Sequence, residues 1–451
     1  MPNIFSYIAL IGWPLISLIF YKRMSAVMAT FWTIIGGFLI LPVKHAIDFP
    51  LIPPLDKESI PVIAALFGCL FIKKIRIKLL PKEGIERWLV ITLLIIPFIT
   101  MLNNQEVINS IPGLTFHDAI SSAISQYLFL LPLILGVQLI KTNDDLLTIY
   151  KIIAVSALLY SLLILLEIRI SPQLHTWIYG YFPHTSFGQQ VRFGGFRAVV
   201  FLGHGLIVSM YIAIALGAIT ILMKQKIKIF GLPSGLIILY FLILLLLNKT
   251  VGGFILGALL FFVVAWMSDN MASRTSLLII FLVLMYPLLL LFELFPHQFL
   301  TQLATDFDPG RGQSLAFRFY NENLLLEHAQ KKLFFGWGPW GRNRLEGLVT
   351  DGHWIIIVGV FGLFGFLSLY GLAVASVWKA VKANSLLKNK SEQQLLIGHS
   401  IMVSVIMIDQ LPNASLSAWM MFFIGALLGR VNNINFEYQR NKINFIKALE
   451  K

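Results

Sequence analysis

Charge is scarce in this chain. Only 13% of its 451 residues are charged, while 57% are hydrophobic; a soluble protein carries roughly 25% charged residues. One folded core cannot absorb that much apolar surface, so lipid must be the solvent for much of it. Cysteine is scarcer still. Cys69 stands alone, inside an apolar run, which excludes an intramolecular disulfide and leaves the redox compartment open. No HExxH and no cysteine pair occurs, and there is no Walker glycine signature. The expectation is therefore no metal and no cofactor, with any reaction drawing its energy from the substrate. The opening MPNIFSYIALIGWPLISLIFYKR has neither a basic n-region nor a small-residue cleavage site. It reads as a first span, not a cleaved leader.

What is present is a series of apolar runs, among them Leu236–Leu247, Phe254–Met267, Ser276–Leu294 and Trp354–Val377. Runs near 20 residues, broken at charged or Gly/Pro clusters, are what a ~30 Å hydrocarbon slab asks of a helix. The chain segments into thirteen candidate spans: 3–21, 27–43, 59–72, 88–102, 122–140, 152–168, 198–223, 231–247, 251–267, 276–295, 353–378, 395–411 and 414–429. Span 59–72 is short and 395–411 carries His399 and Asp409, so the expected fold is an all-α polytopic membrane protein of 12–13 transmembrane helices. It forms one domain over 1–451, without internal repeat or soluble module. Asp144 and Asp145 are expected to cap the helix that begins near Leu146.

A net charge of +13 raises the question of nucleic acid. The basic residues lie in short loops between spans, where membrane topology puts them, so no nucleic-acid partner is expected. The loop KKIRIKLLPKEGIER orients the chain by the positive-inside rule. With it inside, 23 of the 35 Lys+Arg fall inside and 12 outside, which puts the N-terminus outside and the C-terminus in the cytoplasm. Seven of the twelve outer cations are arginine, and eight of the nine histidines lie on or near the outer side. Lysine suffices for topogenesis, whereas arginine is the better ligand for phosphate. Chemistry on the extracytoplasmic face is the expectation. The longest hydrophilic stretch, the outer loop 296–352, fits it. Within that loop Gln313–Lys332 has helical spacing of Leu315, Phe319, Leu324 and Leu325 and reads as a helix at the membrane surface.

Several residues in these outer segments can carry chemistry. Arg197 and His204, seven apart, should share one helical face at a membrane edge, as a snorkelling anchor or as a cationic entrance for an anionic headgroup. Lys249 occupies a very short turn between spans, where an interfacial lysine is the ordinary reading. Arg318 precedes Glu322 by four, giving either a surface i,i+4 pair or a phosphate clamp. In GWGPWGRNRLEGLVTDGHWIIIVGVFGLFGF, Arg342 and Arg344 follow a glycine cluster, Asp351 and His353 stand at the mouth of the next span, and Gly359, Gly362 and Gly365 mark one helix for close packing. A histidine beside a carboxylate at a bilayer edge can act as a base. Asp409 is a candidate carboxylate near the same site.

Taken in order, four of these places resemble the bacterial O-antigen ligase/polymerase superfamily of C-type glycosyltransferases: FRAVVFLGHG, NKTVGGFILG, SLAFRFYNENLLLEHAQKKLFFGWG and the glycine-rich run through TDGH. The likeness covers about 200–375, within a core at 198–378 that includes the outer loop. It implies a metal-independent enzyme of the bacterial inner membrane, active on the periplasmic face. Such an enzyme moves a glycan from a polyprenyl-diphosphate donor to a lipid or glycan acceptor, with membrane lipids around it. By the same likeness Arg197, Lys249 and Arg318 would grip the diphosphate and His353 would be the base for the acceptor hydroxyl. The sequence departs from the family pattern at Gly203-His204-Gly205 and at Asn248-Lys249, where lysine gives a point charge in place of a bidentate contact. A polymerase of the same superfamily is the near alternative. A transporter or lipid flippase is the distant one; it would be expected to show repeats and midplane charges.

Overall fold

The computed structural model describes every residue except 50–52, 83, 109, 450 and 451. The described chain is almost wholly helical. In order it forms α1 (Ile4–Arg23), α2 (Ala26–Ile40), a two-stranded hairpin of β1 (Ala46–Ile47) with β2 (Leu55–Asp56), and α3 (Ser59–Phe67), which a π-helical turn extends through Gly68–Ile72. There follow α4 (Ile85–Leu102), α5 (Phe116–Leu139), α6 (Asn143–Ile170), the short α7 (Leu174–Tyr179) and a second hairpin of β3 (Val191–Arg192) with β4 (Gly195–Phe196). Next come α8 (Gly205–Lys224), α9 (Ser234–Leu247), α10 (Val251–Trp266), α11 (Asp269–Leu291), α12 (His297–Phe307), α13 (Pro309–Gln330), α14 (His353–Asn384), α15 (Lys390–Asp409) and α16 (Ala418–Leu449). Seven of these are long and apolar enough to cross a membrane, and four further apolar helices are shorter. The chain is an all-α polytopic membrane protein, and each of the thirteen candidate spans coincides with a helix.

Local chemistry sets many helix starts. Thr115 with Asp118, and Thr142 with Asp145, form reciprocal capping boxes at α5 and α6; the N-cap of α6 is Thr142, and Asp144 and Asp145, expected to precede a helix starting near Leu146, lie inside its first turn. Asp308 caps α13, with Pro309 in the first turn where its missing N–H costs nothing. α8 is hydrophobic all round and buried nearly all round, packed by α6, α9, α10 and α15, so it forms the centre of the bundle. α5 and α16 approach most closely, because Gly136, Gly425 and Gly429 let the two backbones touch.

Inter-loop bonds tie one end of the bundle together. Lys57 Nζ donates to Phe201 O (2.6 Å), Asn104 Nδ2 to Gly336 O (2.9 Å) and Arg318 to Pro412 O (3.0 Å). At the other end Gln138 bonds the backbone of Lys78, and Lys379 pairs with Glu86 at 2.6 Å. Chemistry-bearing residues from distant parts of the sequence gather at the first end.

Three expectations about local structure are corrected. Helix α8 starts at Gly205, and the backbone over 198–204 is irregular, with positive φ at Val200 and Gly203. Arg197 and His204 therefore do not share a helical face. The surface helix begins at Pro309, four residues before Gln313, and a second helix, α12, precedes it. Finally, α14 is not one rod. Gly362 has φ 69° and ψ −171°, a conformation open to glycine alone. The glycines read as a packing stripe include the corner of a bent helix.

Candidate site at a cation-lined cavity

The segment before α8 is held by an unusual clamp. Glu167, at the end of α6, accepts from the backbone N–H of Val199 (2.8 Å), Val200 (2.7 Å) and Leu174 (2.9 Å). Tyr160 Oη accepts from Phe201 N, and Lys57 Nζ donates to Phe201 O. Asn248 accepts from Ala198 N (3.0 Å) and donates to Gly205 O and Ser209 Oγ (3.2 and 2.7 Å). Irregular backbone at membrane depth must find such partners within the protein. The clamp fixes two cations at once: Arg197 precedes the held segment, and Lys249 follows Asn248.

Arg197 is buried, its guanidinium donating to Gln190 Oε1 (3.3 Å) and Gln189 O (2.9 Å). Burial, and then the nearby guanidinium groups of Arg192, Arg311 and Arg318, push it down to about 10. Lys249 Nζ donates to Phe193 O (3.1 Å) at the tip of the β3–β4 hairpin, and Arg311 stacks over the Phe193 ring at 5.0 Å. One hairpin thus gathers the α9–α10 turn and the start of α13. His204 caps α8, its Nδ1 accepting from Leu206 N at 3.1 Å, with the His184 ring 5.1 Å away. Because Nδ1 accepts, Nε2 is the nitrogen left to donate. Five cations meet here: Arg192, Arg197, Lys249, Arg311 and Arg318. Among the described residues one carboxylate, Asp351, lies within ion-pair distance of any of them, 3.4 Å from Arg318.

Arg318 also lines a cavity of about 460 Å³ between α10, α11, α13 and the junction of α14 with α15. Its walls are mostly apolar, and Ile255 (57% exposed) and Leu282 (43%) leave it open on the α10–α11 side. Its polar members are Tyr286, Arg318, Glu322, Asp351, Asp409 and Asn413. Glu322 does not pair with Arg318, contrary to the i,i+4 reading. It accepts from Tyr286 Oη (2.8 Å) and Trp354 Nε1 (2.6 Å). Burial raises it to about 7, with Asp351 adding to the rise. Asp409 is buried and accepts from Asn413 Nδ2 (2.8 Å) and Ser415 Oγ (2.9 Å).

His353 stands at the first turn of α14, its backbone N–H held by Gln410 O and Asn413 O, both at 3.0 Å. Its Nδ1 faces Tyr370 Oη at 3.2 Å. In a straight helix, seventeen residues at ~1.5 Å each would separate the two by about 25 Å. The corner at Gly362 folds 353–361 back toward 363–384 and brings them into contact. Asp351 does not hold the imidazole, as the sequence suggested, because it turns to Arg318. Nε2 of His353 makes no hydrogen bond among the described residues.

Arg342 and Arg344 fall outside this group. Arg342 is fully buried and donates to the carbonyls of Trp337, Glu106 and Pro112 (3.3, 3.0 and 2.8 Å), pinning the loop after α4. Arg344 is exposed. The structure thus brings together Arg197, Lys249, Arg318, His204, Asp351, Asp409 and the backbone of His353, and sets the other two arginines apart. Sequence reasoning missed Glu167, Tyr370 and the hairpin, and it named Asn248 only as a departure from the family pattern. Glu167 alone left a signal, a carboxylate within an apolar helix. No protein-family model and no curated protein matches this chain.

Proposed function

We propose that the chain is an extracytoplasmic glycosyltransferase of the bacterial inner membrane, moving a glycan from a polyprenyl diphosphate to a hydroxyl acceptor, as an O-antigen ligase does. One observation carries this reading: five cations with a single paired carboxylate meet beside an apolar cavity that is open on its side. A diphosphate needs concentrated positive charge, and its polyprenyl tail needs an apolar wall reachable from the bilayer. The positive-inside distribution supports placing this end outside, with the C-terminus in the cytoplasm.

In this mechanism the acceptor hydroxyl attacks the anomeric carbon while the bond from that carbon to the diphosphate oxygen breaks. Nε2 of His353 takes the hydroxyl proton, and Tyr370 orients the ring. The charge left on the departing lipid diphosphate is stabilised by Arg197, Arg318 and Lys249, held in place beforehand by Glu167, Asn248 and the hairpin. The test is transfer of a lipid-linked glycan to defined acceptors by the purified chain in EDTA. His353→Ala and Arg318→Ala should each lose at least about 100-fold in rate; correctly folded variants with full activity would overturn the mechanism. A polymerase uses the same site with a growing glycan as acceptor, and the products separate the two. A mutant that accumulates single-unit glycans has lost a polymerase, whereas polymer left on the carrier marks a lost ligase.

The broken α14 and the buried Asp409 favour a second reading, a lipid transporter or flippase, since discontinuous helices and intramembrane carboxylates mark transport paths. Lipid flux across vesicles without product formation would select it.

A further inference from the structure

The end of the bundle opposite the cation-lined cavity holds a larger one, of about 890 Å³, between the loop before α4, helix α5, α16 and the last turns of α14. Arg76, Lys78, Lys82, Lys141 and Lys379 line it, with Glu86 the one carboxylate among its described walls. Glu86 is already neutralised by Lys379 at 2.6 Å. Among the described residues the other four cations have no carboxylate within ion-pair distance. The loop carrying three of them is fixed, because Gln138 on α5 both accepts from Lys78 N and donates to Lys78 O, each at 2.7 Å.

We propose that this cavity is a binding site for an anionic phospholipid, its phosphate held by Arg76, Lys78, Lys82 and Lys141 and its glycerol by the amides of Asn432 and Asn435. Charge that serves topology alone needs only to lie in a loop; here it surrounds a space about thirty times that of one water molecule, at ~30 Å³ each. That space exceeds what a lone phosphate fills. Ile134 and Val137 form an apolar wall, and Leu79 and Phe436 stand exposed beside it, as an acyl chain would require. Basic pockets between transmembrane helices are places where anionic headgroups settle. The site is independent of which leaflet it faces and of the reaction at the other end.

The experiment uses the full chain in neutral detergent, titrated with phosphatidylglycerol, phosphatidylcholine or inorganic phosphate, with bound lipid counted by native mass spectrometry and melting temperature measured in parallel. The wild type should retain phosphatidylglycerol and melt higher with it, and phosphatidylcholine and inorganic phosphate should do neither. A variant with Arg76, Lys78, Lys82 and Lys141 each changed to Gln should bind phosphatidylglycerol more than about tenfold more weakly. A second variant with Lys22, Arg23, Lys226 and Lys228 changed to Gln removes as many basic charges outside the cavity and should bind as the wild type does. Equal weakening in both variants would reduce the effect to diffuse charge and overturn the proposal. So would undiminished binding in the cavity variant, or inorganic phosphate matching the lipid.

Discussion

Glu167 makes the most bonds for its size of any carboxylate near the site, and removing it should show what the clamp is worth. Glu167→Ala would strand three buried backbone N–H groups, each costing about 1–3 kcal/mol when unpaired. The expected result is a melting temperature well below that of the wild type, together with weaker binding of a lipid diphosphate. Glu167→Gln, which keeps one accepting oxygen, should fall between the two. Arg318→Lys should retain charge but lose the guanidinium that reaches both Asp351 and Pro412 O, giving partial activity. Glu322 sets a pH dependence. Its pKa in the fold, about 7, stands above the ordinary carboxylate value of 4.5, so the folded state holds a proton that the unfolded chain releases. The contribution is fully present below about 4.5 and lost as pH rises through 7. Melting temperatures measured from pH 5 to 8 should decline more steeply for the wild type than for Glu322→Gln, by no more than about 3 kcal/mol in stability.

Among the elements, α14 is the one whose shape decides function. A Cβ at Gly362 would run into the Phe334 carbonyl, and its backbone conformation excludes other residues. Gly362→Ala should therefore destabilise by about 1–3 kcal/mol through backbone strain and part His353 from Tyr370. Gly235→Ala, where nothing lies within 4 Å of the added carbon, should be nearly neutral. Thermal melts of the two variants compare them directly. The same element shows what was legible beforehand. Hydropathy locates thirteen of the sixteen described helices, because length and apolarity are properties of a local window. It does not locate the corner, because a glycine that packs and a glycine that turns look alike in sequence; only the contact with Phe334 and Leu333 separates them. Arg197, Lys249 and Arg318 stood out by residue type and position. Their partners did not, since Glu167 and Asn248 act across 32 and 50 residues of chain, and the pairing of Arg318 with Asp351 instead of Glu322 depends on where α13 meets α14.

For the whole molecule the two ends carry different chemistry, arginine and histidine at one and lysine at the other, and sidedness can be read directly. Cys69 is buried against Tyr21 and Thr30, so a Cys69→Ser background supplies a cysteine-free chain. In intact cells a membrane-impermeant thiol reagent should label a cysteine placed at Arg344 and reach one placed at Lys388 only after permeabilisation; the reverse pattern would invert the orientation. The open flank between Ile255 and Leu282 has its own consequence. An amphiphile whose tail stays in the bilayer meets that flank by searching a plane, so what matters is its mole fraction in the membrane, not its amount per volume of solution. Diluting a vesicle suspension with buffer should leave occupancy unchanged, while diluting the amphiphile with inert lipid inside each vesicle should lower it. Binding curves at this protein then collapse only when plotted per area of membrane.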